Sequence, residues 1–442
     1  MAEARYYDIR CTKGEITLID IDNGLIESAG TSYFDRTVVR VLGPEGWGIL
    51  TRDHVDIDST REIVVLVEEA ARLAAVTGDR VDLADAPRSL LPVPPLTEDP
   101  RDIDLEEKTR MLAEIEGAAR IPEVVNTRAR YTEGIDSVRF LDSSGNEYSY
   151  EAVRSGFSVL AIASRNGMMQ MGSERDHTTT GFNLRGKQDL GRKAGEVAVS
   201  LLGAKLAKGG SMRAVLDPEL AGVFTHEAVG HASEGDLVRE GASVLAGRIG
   251  EQIGCEGLVI VDDPSLHEFG FIPVDAEGVA VRRTEIIRDG VLSSYLHNRE
   301  TLAAVGDGVP GHARAEHGAP PIVRMSNTFV ENGDAAYDEI VAECRDGILL
   351  IGSRGGQVDP GRGIFQFNAE YGYLIRGGET TDMVRDVSLS GEILSTLHDI
   401  TLLGNDLKMS PGYCGKGGQT VPVSDGAPHI LLENATVGGR GA

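Results

Sequence analysis

Residues 226–231 read His-Glu-Ala-Val-Gly-His, two imidazoles bracketing a carboxylate. Imidazole nitrogens hold divalent metals, and an adjacent glutamate can move the proton of an attacking water. The familiar zinc-peptidase signature, HExxH, spaces its histidines four apart so that both lie on one helical face. Here the spacing is HExxxH. At about 100° per residue, the fifth position lies about 140° round a regular α-helix, and the rings diverge. A metal site therefore requires the helix to absorb one residue, as a single π-bulge does. Gly230, just before His231, is the residue expected to permit that distortion. Without it, His226 and His231 are two unrelated histidines, one packed and one solvated.

Two imidazoles do not complete a catalytic zinc site, which takes three protein ligands and keeps a position open for water. Glu234, Asp236 and Cys255 are close in sequence. Far downstream, Cys414 sits in Tyr413-Cys414-Gly415-Lys416-Gly417-Gly418-Gln419. Its glycines allow a tight turn to bring a thiolate into a site, although a buried thiol is an equal reading. His177 and His429 are weaker candidates, each more often a surface or core histidine. For an oxyanion donor, His177, His312, Arg239 and Tyr413 stay unranked.

The elements that must position these groups are legible in part. Asp217-Pro218 opens a helix that carries the histidines, with Leu220, Val223 and Phe224 on its buried side. The first fifty residues alternate as strands, with turns at Asn23-Gly24 and Gly46. Ser59 and Glu62 form a capping box for a helix running to Gly78, and Asp104 with Glu107 caps a second, running to Ala119. Between them, 86–100 is a Pro-rich connector. Strands are expected at SVRFLDSSGNEYSYE and FSVLAIASRNG, and a third helix over 188–207. Beyond about residue 210 the chain reads as short strands, with one further helix near Asp334 and a hairpin at Asp289-Gly290. The fold class is α+β: an N-terminal α+β region, 1–208, then a β-rich C-terminal domain, 209–442, that carries the metal-site helix.

Composition narrows the function. The 442 residues carry 43 Lys+Arg against 69 Asp+Glu, a net charge of −26. A field of that sign repels phosphate backbones, so nucleic acid is not expected as a direct partner. Cys11, Cys255, Cys344 and Cys414 are too few for a disulfide framework and point to a reducing compartment. There is no secretory leader pattern and no apolar run long enough to span a bilayer, so the expected location is the cytoplasm.

At this point the residues carry a family likeness. HEAVGHASEGD, RMSNT at 324–328 and GYCGKGGQ at 412–419 resemble the TldD/PmbA family of intracellular metallopeptidases, and the order of the parts agrees. The similarity covers most of the chain and is strongest from about residue 210. HExxxH together with CGKxGQ is similar to the catalytic TldD-type branch, whereas the PmbA (TldE-type) branch lacks the metal motif. The resemblance implies one Zn2+ per catalytic chain, held by His226, His231 and Cys414, with Glu227 as general base. It also implies a homodimer, or a heterodimer with a PmbA/TldE-like subunit, enclosing a narrow chamber that admits unfolded peptides. Family members have been linked to leader-peptide maturation and antitoxin turnover under the old label of gyrase modulator. The acidic charge lends no support to gyrase or DNA contact.

The expected activity is thus zinc-dependent hydrolysis of peptide bonds in unfolded or small peptides. The competing readings are a non-catalytic peptide-binding or assembly subunit with a structural metal site, and a metal-dependent hydrolase of small amides. An extended peptide can add as a strand to a sheet edge; Gly355-Gly356 would permit the approach but is more often a turn. Several other signals carry no function. Residues 415–418 lack the phosphate-loop pattern, 355–363 precede no helix, Asp262-Asp263 reads as a strand-end turn, and Met168, Met169 and Met171 read as core or loop.

Overall fold

The N-terminal half forms long strands whose successive side chains point to the two faces of one sheet. β1 (Tyr6–Asp22) and β2 (Leu25–Gly43) join through Asn23-Gly24, whose φ angles of 49° and 75° are those of a tight I′ hairpin turn. β3 (Gly46–Asp53), β4 (Val124–Asp142), β5 (Glu147–Arg165) and β6 (Met168–Thr178) complete an antiparallel sheet of order β3-β2-β1-β4-β5-β6. The computed structural model describes residues 4–74 and 80–440; it is α+β with 21% helix and 46% strand, so sheets dominate both halves.

Helices α1 (Thr60–Ala74), α2 (Leu105–Ala118) and α3 (Gln188–Gly203) cover one face of this sheet. Ser59 Oγ accepts from Glu62 N at 3.4 Å, but the Glu62 carboxylate turns to Asp56 N, so half of the expected capping box forms. The stop expected at Gly78 lies outside the described residues. Asp104 caps α2 as expected, accepting from Glu107 N at 2.8 Å. α3 ends before the expected 207, because Lys205–Leu206 leaves the helix to pair with the strand Glu379–Arg385.

Side chains of β1 alternate between the two faces. Ile9, Cys11, Ile19 and Ile21 pack under the helices, while Arg10, Thr12 and Ile16 face the C-terminal half across a cavity. The Pro-rich connector is hydrogen-bonded rather than free. Leu91 N donates to Pro273 O, and Pro87 O accepts from Ala280 N, each at 2.9 Å.

After residue 204 two sheets enclose the largest core. The ten-stranded sheet has Gly210–Leu216 between Ile430–Gly439 and Gly347–Ile351. The six-stranded sheet places Asn327–Val330 beside Gln419–Ala427, with Lys408–Lys416 at its edge. Helix α4 (Pro218–Phe224) and the histidine turn lie in the core, through Leu220, Phe224, Ala228 and Val229. The helix expected near Asp334 runs Tyr337–Cys344. Gly235–Arg239, Arg299–Val305 and Ile393–His398 are helices too, of 5, 7 and 6 residues. Segments that short show no periodicity to read. Met168, Met169 and Met171 are exposed on β6, not core or loop as expected.

β6 meets the C-terminal half through Ser173 Oγ, which donates to Glu370 Oε1 at 3.0 Å. Burial, with Glu219 adding to it, lifts the Glu370 carboxyl from its ordinary 4.5 to about 7. A raised carboxyl contributes stability that is present below about 4.5 and lost as pH climbs through about 7. Glu370→Gln should therefore gain about 1–2 kcal/mol over the parent at pH 8 and little at pH 5. Thermal melts at the two pH values check this, and an equal shift at both would contradict it.

Candidate metal centre

Asp217 starts the motif helix by accepting from Leu220 N at 2.9 Å, and Pro218 occupies the first turn, where no amide donor is needed. From Thr225 to Gly230 the helix widens into a π turn, and His231 N donates to His226 O, five residues back. This is the distortion the HExxxH spacing requires. It returns both imidazoles to one face, with ring centroids 5.4 Å apart and planes at 86°.

Gly230 serves this turn for a different reason from the one expected. Its φ of −57° and ψ of −58° are ordinary helical values open to any residue. The constraint is space, since a Cβ there would meet Met325 Sδ at 1.9 Å, and Met325 is fully buried. Gly230→Ala should cost about 1–3 kcal/mol through overpacking and displace the turn. Its melting temperature and metal content should both fall, and a second change, Met325→Ala, should restore part of the metal. Failure of that rescue would return the explanation to backbone conformation.

Cys414 arrives from 183 residues away on the edge strand Lys408–Lys416. Its Sγ lies 3.4 Å from His231 Nε2, and the ligand atoms of His226, His231 and Cys414 all fall within 4.8 Å of one another. Among the described residues no other three His, Cys, Asp or Glu donors gather this closely. Burial opposes a thiolate here, but hydrogen bonds from both imidazoles outweigh it and pull Cys414 down to about 4. His226 Nδ1 is buried and has no hydrogen-bond partner among the described residues. Two imidazoles and a thiolate, nearly closed from water, are a donor set that suits zinc.

The surrounding residues fix these donors. His231 Nδ1 faces Glu234 Oε2 at 2.8 Å, which turns Nε2 toward the thiolate. Glu234 is fully buried, and despite that burial His231 and Lys416 hold its carboxyl below the usual range. Lys416 Nζ lies 3.1 Å from Glu234 and 2.7 Å from Asp236. Glu234 and Asp236, candidates for the third ligand, are thus partners of His231 and Lys416. Arg324, also fully buried, donates from Nη2 to Cys414 O, and Ser326 and Thr328 donate to Asp262. Asp262 is therefore a structural acceptor, in keeping with a strand-end turn. Lys416 and Arg324 lie in GYCGKGGQ and RMSNT, where residue type alone does not mark a positioning role.

Glu227 projects from the same turn with its side chain 34% exposed, and its Oε2 lies 3.9 Å from His231 Nε2. It stays outside the donor triad yet borders it. The remaining candidates separate cleanly. Cys255 is a free thiol packed against the main core. His429 pairs with Asp406 at 2.6 Å, and Arg239 with Glu300 at 2.6 Å. His312 is buried 3.5 Å from Asp262. His177 packs against Tyr413, centroids 6.0 Å apart, and burial pushes its pKa down to about 4, so it is neutral. Of the oxyanion candidates, Tyr413 precedes Cys414 on its strand and His177 packs on Tyr413.

Three family models match the chain in sequence order. The PmbA/TldA metallopeptidase domain 1 matches residues 7–74, the central domain 98–202 and the C-terminal domain 209–439. A metalloprotease of Archaeoglobus fulgidus is 40% identical over 98% of this chain and 100% of its own length. A zinc metalloprotease TldD homolog of Saccharolobus solfataricus is 31% identical over 72% of each chain. Among solved structures, a putative modulator of DNA gyrase from Thermotoga maritima superposes with a TM-score of 0.81 at 21% identity, covering 98% of this chain and 96% of that one. TldE from Thermococcus kodakarensis gives 0.79 at 17%, covering 98% and 97%; both share the fold. With domain models matched along most of its length and a full-length relative at 40% identity, the chain belongs to the PmbA/TldD metallopeptidase family.

Proposed function

We propose that this chain is a zinc-dependent peptidase in which His226, His231 and Cys414 hold one metal ion and Glu227 is the general base. The observation that carries this reading is the π turn, which brings two histidines spaced five apart to one thiolate. Bound there, zinc would polarise a scissile carbonyl and make water acidic enough to ionise near neutral pH. Glu234 orients His231 through Nδ1, and Lys416 holds Glu234. Glu227 Oε2 takes a proton from the attacking water and returns it to the leaving amine nitrogen.

The substrates are unfolded or small peptides, which need no folded surface to be read. The enzyme works in the cytoplasm as half of a dimer, with a second copy or a TldE-like subunit enclosing the cleft. No helix among the described residues is long and apolar enough to cross a membrane. Incubation with a mixture of short unstructured peptides, read by mass spectrometry, tests the reading. Cleavage should vanish with a chelator and return with Zn2+. Bound zinc with no cleavage of any peptide would instead make the chain an assembly subunit with a structural metal.

A further inference from the structure

The cavity between the N-terminal sheet and the C-terminal domain measures about 290 Å³ and is walled by Tyr413, the neighbour of Cys414. Arg10 on β1, Arg154 on β5 and Arg314 from the facing domain also line it. In a chain of net charge −26, none of the three lies within ion-pair distance of a carboxylate among the described residues. Their hydrogen bonds go to backbone carbonyls. Arg10 bonds Ala315, Glu316 and Ala319; Arg154 bonds Phe269 and Phe271; Arg314 bonds Met325. Arg314 is only 5% exposed, and among the described residues its one hydrogen bond runs from Nη1. Burial, with Arg154 and Arg324 close by, pulls it down to about 9.

Two acids of the same cavity, Asp275 and Glu316, are already engaged. Asp275 accepts from the backbone amides of Glu277, Val279 and Ala313, and Glu316 from that of Thr420. A third, Asp136, faces His317 at 3.1 Å through Oδ2, and its Oδ1 has no hydrogen-bond partner among the described residues. Tyr150 lines the cavity among the three arginines and Asp136, and its hydroxyl has no hydrogen-bond partner among the described residues. One buried and two half-buried guanidinium groups lacking a counter-ion are a standing demand for an oxyanion with matching fork geometry. The volume sits near the lower end of ordinary ligand pockets, about 300 Å³, enough for a terminal residue or one side chain.

We infer that this cavity is a carboxylate-binding subsite for the peptide substrate, with Arg10, Arg154 and Arg314 as donors and with one wall made by Tyr413, which precedes Cys414 on its strand. The inference rests on the peptidase reading. The carboxylate is either the C-terminal one of a peptide or the side chain of Asp or Glu, and the fold presents the same chemistry to both.

The test compares four matched peptides on the metal-loaded protein, with free-acid or amidated C-termini and with internal Glu or Gln. A preference of about 10- to 100-fold in kcat/KM is expected for one member of a pair, the range of charge-assisted bonds. Loss on amidation assigns the terminal carboxylate, and loss on Glu-to-Gln exchange assigns the side chain. Arg10→Gln and Arg154→Gln should each shrink that ratio, which general damage to the protein leaves unchanged. Fluorescence anisotropy of the labelled peptides on Glu227→Gln protein gives the same comparison without turnover. Cleavage of all four at equal rates, with ratios unmoved in the variants, overturns the subsite and leaves the peptidase reading intact. No cleavage but selective binding of the carboxylate peptide overturns the peptidase reading and keeps the subsite.

Discussion

Glu227→Gln should leave the metal bound and lower kcat by about 10²- to 10⁴-fold, the usual contribution of a positioned general base. The change is isosteric, and Glu227 is neither part of the donor triad nor buried, so the fold and the zinc site should tolerate it. The nearest alternative, Glu234, is fully buried and committed to His231 and Lys416. It cannot swing to replace the lost carboxylate. Metal content measured beside peptide turnover checks both halves of the prediction. Turnover within about tenfold of the parent would mean that another group moves the proton.

Cys414→Ser should be more drastic, because it removes the thiolate ligand itself. Losing an outer partner of a metal site typically costs 10- to 100-fold in affinity, and losing a ligand should exceed about 100-fold. Circular dichroism should remain unchanged, since the strand is held by its pairing with Gln419–Ala427 and by Arg324. Cys255→Ser is the natural control, being a thiol outside the donor triad. It should keep about one zinc per chain while Cys414→Ser loses it. Equal zinc in both variants would remove Cys414 from the proposed site.

Why the site was partly legible follows from how it is built. His226, Glu227 and His231 are local, and the five-residue spacing made a π distortion a geometric requirement. The role of Gly230 was hidden, because Met325, whose side chain excludes a Cβ there, comes from a distant segment. Glu234, Asp236 and Cys255 are candidates by nearness in sequence, whereas the thiol that gathers with the two histidines, Cys414, lies 183 residues from His231. Glu234 instead orients His231, a function that nearness alone does not distinguish from ligation. The arginine cavity was invisible for a related reason. Its donors are one residue from each of two long strands, Arg10 and Arg154, and Arg314 from the far domain, so no sequence window contains them.

The fold divides in the same way. Turn chemistry at Asn23-Gly24 and helix starts at Asp104 and Asp217 are local and were readable. The full lengths of β4 and β5, 19 residues each, depend on pairing with each other, and tertiary pairing also ends α3 early at Lys205.

The most direct test of the account is X-ray absorption at the zinc edge of the metal-loaded protein. The account predicts one sulfur near 2.3 Å and two imidazole nitrogens near 2.0–2.1 Å, completed by a light oxygen ligand. A shell with no sulfur, or with more than one, would contradict a centre made of His226, His231 and Cys414.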